Sequence, residues 1–455
     1  MLSKQRQKTK KRLSWTVPGI RLVEASNPAD LEYIQRTNFG NFVKGSLFNE
    51  NTKQILGNGI FNSDGEMWHS QRKATSKIFN ANNFRGIITE SLDSNLEKLL
   101  AIIRRRADAG EEFDLDTLFF RFTLNSFAEM AFGTDVGALS LDSDEPVPFA
   151  AAFDFAQSVL DRRFNNPFWK IVERFNGQHQ KMKEATKIID EFAYSIIDQR
   201  QAEGRGNFTA ETKKEAKNLD LLSLYMALRD ENGQPMSRRA LRDAVLNLII
   251  AGRDTTAQAL SWTFFHLLKH PELIEPMRSE VEELGVIDYD SYKILHQTNA
   301  VFSEGLRLHP SVPKNGWTAL KDDVLPNGGP IIKAGDIVFW STWIMGRDEE
   351  LWGPDAKEFK PSRWLDEQGE MKKESQWKAH MFNGGYRLCL GMDLAKYEAA
   401  SVLAAISREF DLSFAPGWLG TVPMMATEQT PRYQPSLTLP MLTPLRVKAT
   451  RRKMA

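Results

Sequence analysis

Phe382-Asn383-Gly384-Gly385-Tyr386-Arg387-Leu388-Cys389-Leu390-Gly391 holds the only cysteine in a chain of 455 residues. A lone thiol cannot form an internal staple, so its neighbours decide what it does. The stretch is aromatic at Phe382, flexible at Gly384 and Gly385, cationic at Arg387 and open at Gly391, where a side chain would obstruct anything flat that approached. Free cysteines are ordinarily buried small hydrophobes, and one cysteine by itself says little. In this setting the thiol reads instead as a thiolate bonded to haem iron. Such a ligand donates electron density that favours O–O cleavage, and it needs shielding from water and damping by nearby N–H donors.

Five residue types at set spacing, Phe-x-x-Gly-x-Arg-x-Cys-x-Gly, resemble the haem-binding signature of the cytochrome P450 family at every fixed position. The resemblance implies haem b (iron protoporphyrin IX) as cofactor. It places Cys389 on the iron as its axial ligand, Arg387 on a haem propionate and Phe382 against the sulfur, with Gly391 leaving room for the cofactor.

A second element lies in 237–269, where Ser237 is a suitable N-cap for a long apolar helix. The apolar run through Leu246, Leu248, Ile249 and Ile250 is interrupted by Ala251-Gly252-Arg253-Asp254-Thr255-Thr256 and resumes at Ala259 and Leu260. Gly252 costs about 1 kcal/mol relative to alanine in a helix interior, and a buried Asp254 needs a partner. A kink or a solvent-facing polar stripe would leave the same pattern. The functional reading is proton delivery into a dry pocket by a hydroxyl beside a carboxylate. The stretch resembles the oxygen-activating helix of the same family, which implies that Thr255 contacts the dioxygen ligand and that Asp254 feeds protons.

Glu304-Gly305-Leu306-Arg307 puts opposite charges three apart on one helical face, and surface pairs at that spacing contribute only about 0.2–0.5 kcal/mol. Beside Phe359-Lys360-Pro361-Ser362-Arg363-Trp364 the resemblance implies more: Glu304, Arg307 and Arg363 form a buried ion cluster that pins the later coil under the cysteine loop. In Trp68-His69-Ser70-Gln71-Arg72 the tryptophan and arginine share a helical face, and an aromatic N–H with a guanidinium suits a carboxylate. A packed tryptophan with a surface arginine is the plainer alternative. The resemblance assigns both to a haem propionate, with Lys73 and Lys77 extending a basic patch for an acidic electron donor. His266 and His270 are spaced as a zinc pair, but Leu267 stands where a metalloprotease needs glutamate and no third ligand is near.

Composition sets the outer limits. Hydrophobic residues are 42% of the chain, and 59 basic residues balance 59 acidic ones, so no global basic excess points to nucleic acid. One cysteine fits a reducing compartment. Helical periods dominate 88–108, 116–132, 148–163, 168–202, 219–229, 237–269, 271–284, 294–308 and 391–409. Strand signals gather late, with Ile331-Ile332 and Ile337-Val338-Phe339-Trp340 bracketing a turn. The expected fold is mainly α (α+β), helical with small β-sheets, and residues 1–455 form one haem-thiolate monooxygenase domain. Residues 203–218 read as a disordered connector and 349–380 as packed coil. The basic start, residues 1–14, reads either as a solvated disordered tail or as a segment just inside a membrane anchor. No apolar run is long enough to span a bilayer.

The stretch from Gly59 to Lys73 and Leu308-His309-Pro310-Ser311-Val312-Pro313 resemble the fatty-acid and alkane ω-hydroxylase branch of the family. That implies an elongated apolar substrate, dioxygen, an NADPH-dependent flavoprotein reductase as partner, a monomer, and the cytosolic face of the endoplasmic reticulum. Microsomal members usually carry an anchor helix and a proline-rich hinge, whereas this chain opens near the first sheet, so no anchor is expected in it. The substrate pocket is expected to include 312–318 and the helix face near Asn247 and Ile250. Two alternatives stay open: a reductase-independent haem-thiolate peroxygenase or isomerase, and a non-catalytic haem or lipid binder.

Overall fold

The helical periods become α1 (Gly45–Leu56), α2 (Gly65–Phe79), α3 (Asn82–Ala109), α4 (Leu115–Phe132), α5 (Pro148–Phe164), α6 (Gln178–Ala202), α7 (Arg238–Ile249), α8 (Thr255–Lys269), α9 (Ile274–Leu284), α10 (His296–Leu308) and α11 (Met392–Glu409) in the computed structural model. The structure describes residues 14–453 apart from 18, 26, 80–81, 142–144, 146, 204–219, 229–232 and 427. The connector expected over 203–218 lies outside the described residues from 204 onward. So does the basic tail, except Ser14, which opens a strand.

Local chemistry sets the helix ends. Asp114 accepts from the Thr117 N–H to start α4, and Gly133 closes it in a left-handed conformation, the residue type that takes positive φ without strain. Ser237 accepts from the Ala240 N–H to start α7. The single helical stretch expected over 168–202 is two helices, Trp169–Phe175 and α6, because Gly177 adopts a φ of 76° between them.

Strands β1 (Ser14–Val17), β2 (Ile20–Glu24), β3 (Phe42–Val43), β5 (Asn315–Ala319) and β8 (Ile337–Trp340) form a five-stranded sheet in the order β1-β2-β8-β5-β3. The β2–β8 pair is parallel and the other neighbours are antiparallel. β4 (Glu112–Asp114), β10 (Arg446–Arg451) and β9 (Phe410–Phe414) make a second sheet, and β6 (Asp323–Val324) pairs with β7 (Ile331–Ile332). The two late strands that bracket Lys333-Ala334-Gly335-Asp336 therefore pair with different partners rather than with each other.

Two large hydrophobic cores result, beside a small cluster of Ala300, Trp352, Ala356 and Trp364 among the described residues. The larger joins α3, α4, α5, α7, α8 and α11 through residues such as Phe119, Phe122, Phe153, Leu260 and Leu403. The smaller fills the inner face of the five-stranded sheet with Val23, Phe42, Trp317, Val338, Trp340 and Trp377. The cysteine loop lies on the seam, since Trp377 belongs to the sheet core while Met381 and Phe382 pack against the helical one.

Candidate active site

Two short 3₁₀ turns, His380–Phe382 and Gly385–Arg387, carry the chain to Cys389 and into α11. The Cys389 N–H donates to the Phe382 carbonyl at 2.9 Å, closing the loop on itself. Its glycines are required by neighbours: a Cβ on Gly384 would lie 2.4 Å from the Trp377 ring, and one on Gly385, at φ +56°, would lie 2.4 Å from the Gln35 carbonyl oxygen. A Cβ on Gly391 would meet nothing closer than Phe79 at 3.9 Å, so that side of the loop is open. Gln35 clamps the turn from outside. Its Oε1 accepts from the Gly384 N–H at 3.1 Å and its Nε2 donates to His380 Nε2 at 3.0 Å. The other ring nitrogen, Nδ1, then donates to the Gln376 carbonyl at 2.9 Å.

The thiol of Cys389 has accessible surface, yet burial raises its pKa, against the opposing pull of the Gly391 N–H and of Arg72. The residue keeps accessible surface although the chain is dense around it, and the opening lies beside Gly391, where a Cβ would meet only Phe79 within 4 Å. The N–H donor expected to damp a thiolate is present at Gly391.

Around the thiol the charges do not balance. Arg387 stacks its guanidinium 4.1 Å over the Trp68 ring. Its Nη2 donates to the Ser63 carbonyl at 3.1 Å and to Asp64 Oδ1 at 3.0 Å, while its Nε is buried without a partner. Arg72 forms no hydrogen bond or ion pair with any described residue. Burial lowers its pKa, and it acts electrostatically on both Cys389 and Arg387. Trp68 is 6% exposed. Lys73 is exposed on α2, and the Lys77 side chain lies outside the described residues. Unused donors on buried cations are costly, and a dicarboxylate cofactor in this position supplies what they lack. The residues present therefore fit haem b.

The interrupted helix is continuous but locally widened. α7 and α8 are joined by a π-turn at Ile250–Asp254, a feature that concentrates at functional sites. The freed carbonyls find side-chain donors: Thr123 Oγ1 donates to the Arg253 carbonyl at 2.9 Å and Ser311 Oγ to the Thr255 carbonyl at 2.7 Å. Gly252 is required by Phe127, whose ring would stand 2.0 Å from a Cβ. The small residue thus admits a neighbouring helix, α4, and not only the approach of a cofactor.

Thr255 and Asp254 do not touch each other's side chains. Thr255 Oγ1 donates to the Ala251 carbonyl at 2.6 Å. Asp254 is 1% exposed and accepts from Arg253 Nη1 at 2.7 Å and Gln157 Nε2 at 2.6 Å. Burial pushes its carboxyl up to about 6, against the pull of Arg253. Arg253 also donates to Asp154 Oδ1 at 2.6 Å, and Asp154 is half exposed. Asp116, Asp154, Gln157, Arg253 and Asp254 line a cleft of about 350 Å³ whose walls include neither Thr255 nor Cys389. The acid therefore looks outward through this cleft.

Behind the loop, the expected ion cluster is in contact. Glu304 Oε1 accepts from Arg307 Nη2 at 2.8 Å, Arg363 Nε at 2.9 Å and the Lys360 N–H at 2.8 Å. Its Oε2 accepts from Arg307 Nε at 2.8 Å and Trp364 Nε1 at 2.9 Å. Glu304 and Arg307 have no exposed side-chain surface. His266 pairs with His309 through Nε2 atoms 2.9 Å apart and stacks on Phe359, while His270 meets Glu272. Asn247, expected to line a pocket, is saturated instead: it donates to the Leu56 and Asp243 carbonyls and accepts from the Phe61 N–H.

Sequence reading missed Asp64, Gln35, Arg253 and Glu398. Asp64 precedes α2 in the quoted Gly59–Lys73 stretch, and its position before a helix was the available signal. Glu398 is 3% exposed on α11, accepts from Ser126 Oγ at 3.1 Å and hydrogen-bonds Thr256. Nothing in the local sequence marks it.

A helical protein that sets one accessible thiol in a glycine loop at the start of a helix, beside Arg72 and an Arg387 with an unused donor, has the architecture of a thiolate-ligated haem oxidoreductase. The Cytochrome P450 family model matches residues 1–430. Cytochrome P450 monooxygenase cyp1 of Mycosarcoma maydis is 45% identical over 96% of this chain and 69% of its own length. Cytochrome P450 86B1 of Arabidopsis thaliana is 38% identical over 86% of this chain and 72% of its own, and cytochrome P450 94C1 of the same plant is 34% identical over 90% and 85%. The chain belongs to the cytochrome P450 family and is a monooxygenase of it. The family binds haem b through a cysteine thiolate and uses dioxygen and a small-molecule substrate. Among the described residues no helix is long and apolar enough to cross a membrane.

Proposed function

We propose that residues 1–455 act as one monomeric haem-thiolate domain, with Cys389 as the iron ligand, that hydroxylates the terminal carbon of a fatty acid or alkane. The observation that carries the iron assignment is the accessible but deeply set sulfur of Cys389, bonded by the Gly391 N–H and facing Arg72. Haem b, when bound, supplies the activation of dioxygen, and a thiolate ligand favours O–O cleavage.

The chain's own residues do the rest. Trp68, Arg72 and Arg387 hold the carboxylates of the cofactor, and Phe382 packs beside the sulfur. The Glu304, Arg307 and Arg363 cluster keeps the coil beneath the loop rigid. Asp254 takes protons from the cleft lined by Asp116 and Asp154, because burial leaves its carboxyl protonated up to about pH 6 while Gln157 and Arg253 fix its orientation. Thr255, whose Oγ1 is held by the Ala251 carbonyl, passes them on. In balance, one C–H bond, dioxygen, two electrons and two protons give one hydroxyl group and one water, with electrons from NADPH through a flavoprotein reductase at the cytosolic face of the endoplasmic reticulum.

The substrate class is supported by the two stretches that resemble ω-hydroxylases. Asn247 on α7 ties the first of them to the oxygen-side helix through the Phe61 N–H at 3.1 Å, and Asp243 holds the residue just before it through the Asn58 N–H at 3.0 Å. Saturated fatty acids are expected to shift the haem absorption band and to be recovered as terminal alcohols. Products oxidised mid-chain, or no shift with any apolar chain, would contradict this reading. For proton delivery, Thr255→Ala is expected to lower product formed per NADPH consumed and to raise released hydrogen peroxide; unchanged coupling would remove Thr255 from the relay.

A further inference from the structure

The cleft beside Asp254 encloses about 350 Å³, the size of a small-molecule site. Its lining is of two kinds. Phe120, Leu124, Val147 and Met441 are apolar, while Asp116 on α4, Asp154 and Gln157 on α5, and Arg253, Asp254 and Gln258 on the π-turn and α8 are polar.

The cations of this lining are already engaged. Arg253 gives Nη1 and Nη2 to Asp154 at 2.6 and 3.1 Å, and Nη1 also to Asp254 at 2.7 Å. Arg121 gives Nε and Nη2 to the Ala138 and Ser140 carbonyls at 2.8 and 2.9 Å. Gln157 gives Nε2 to Asp254 at 2.6 Å, and Gln258 is closed at both ends by Thr438 Oγ1 and the Leu439 N–H, each at 2.7 Å.

Acceptors are left over. Asp116 Oδ1 and Gln157 Oε1 are buried without a hydrogen-bond partner among the described residues, in side chains that belong to residues 7% and 2% exposed. The one unused donor in the lining is Arg253 Nε among the described residues. Asp116 also has no ion pair among them. Burial and the nearby Asp114 push its carboxyl up to about 7, with Asp154 adding to the shift and Ser261 and Arg253 opposing it. Unmatched buried acceptors are costly, and a guest that brings N–H groups and positive charge removes that cost. At the rim, Asp154 keeps 46% of its side chain exposed, so a carboxylate guest would meet like charge on its way in.

We propose that this cleft is a binding site for a small organic cation, an alkylammonium or alkylguanidinium, whose N–H groups bond Asp116 and Gln157 while its chain lies against Phe120, Leu124 and Met441. The lining includes neither Thr255 nor Cys389, so the site is distinct from the oxygen-activating one and does not rest on the proposed hydroxylation.

The test is isothermal titration of the haem-loaded protein with n-butylguanidinium and with n-butylurea, a neutral probe of the same shape. A guanidinium holds its proton at every working pH and offers no lone pair to iron. Wild type is expected to bind the cation roughly ten-fold more tightly than the urea, the scale of one hydrogen bond to a charged group. That preference should shrink as pH falls from about 8 to about 6, because Asp116 then takes up a proton. Asp116→Asn is expected to bring the two probes within about two-fold of each other. Ala151→Trp, which puts an indole into the cleft from an exposed position on α5, should weaken both. Equal affinities in wild type overturn the proposal, as does a preference for the cation that survives in Asp116→Asn, which would place the probe on another acidic surface. If Asp116→Asn does not fold, Ala151→Trp decides: a preference lost there supports the site, and a preference kept refutes it.

Discussion

Two arginine-centred regions flank the cysteine loop, and they are finished to different degrees. Around Glu304 every strong group is matched. Both carboxylate oxygens are filled, and Arg307 gives its remaining donors to the Gly346, Ala356 and Glu358 carbonyls. Around Arg387 the matching stops short among the described residues, with an Nε that has no acceptor and an Arg72 that has no hydrogen-bond or ion-pair partner. Burial costs both regions desolvation, and only the first recovers it within the chain. The difference separates scaffold from site: a completed cluster holds the coil in place, while an incomplete one is shaped for a group that brings its own negative charge.

Removing a member of the completed cluster should have the largest effect on stability. Glu304→Gln leaves Arg307 buried without its counter-charge and is expected to cost about 3–5 kcal/mol in chemical denaturation, whether or not haem is bound. A loss below about 1 kcal/mol would mean that the cluster is ornamental.

Arg72 sharpens the contrast from the other side. With no partner to strand, Arg72→Gln should change stability by less than about 1 kcal/mol, while speeding haem release several-fold. Equal damage to folding and haem retention would erase the distinction between the regions.

Glu398 offers a smaller comparison, as a buried acid with hydrogen bonds to Ser126 and Thr256 but no cation among the described residues. Burial raises its carboxyl from 4.5 to about 7, so the folded protein holds more protons than the unfolded chain in that window, and stability should fall as pH rises through it. Glu398→Gln should flatten this slope, measured by denaturation between about pH 5 and pH 7; an unaltered slope would place the titration elsewhere.

The helices were legible because their apolar periods are long and their caps local, as Ser237 and Asp114 show. The strands β3, β4 and β5 were not, since two to five residues carry little period and their pairing is set by partners far away in sequence. The same division holds at the site. Cys389, Arg387, Glu304 and Arg307 lie in compact patterns, so their types and spacing could be read directly. Asp64 matters because the cysteine loop brings Arg387 onto it, and Gln157 because α5 packs beside the π-turn, contacts that no local pattern records. Asn247 misled for the opposite reason: its place on the helix face was right, but the chain at 56–61 saturates it.

The central claim is that the incomplete region exists to hold haem through Cys389. Its most direct test is the reduced carbon monoxide spectrum of purified wild type beside Cys389→Ser, each reconstituted with haem b. The account predicts a thiolate-type band in wild type that disappears in the serine variant together with substrate hydroxylation. An unchanged spectrum and undiminished turnover in Cys389→Ser would contradict it.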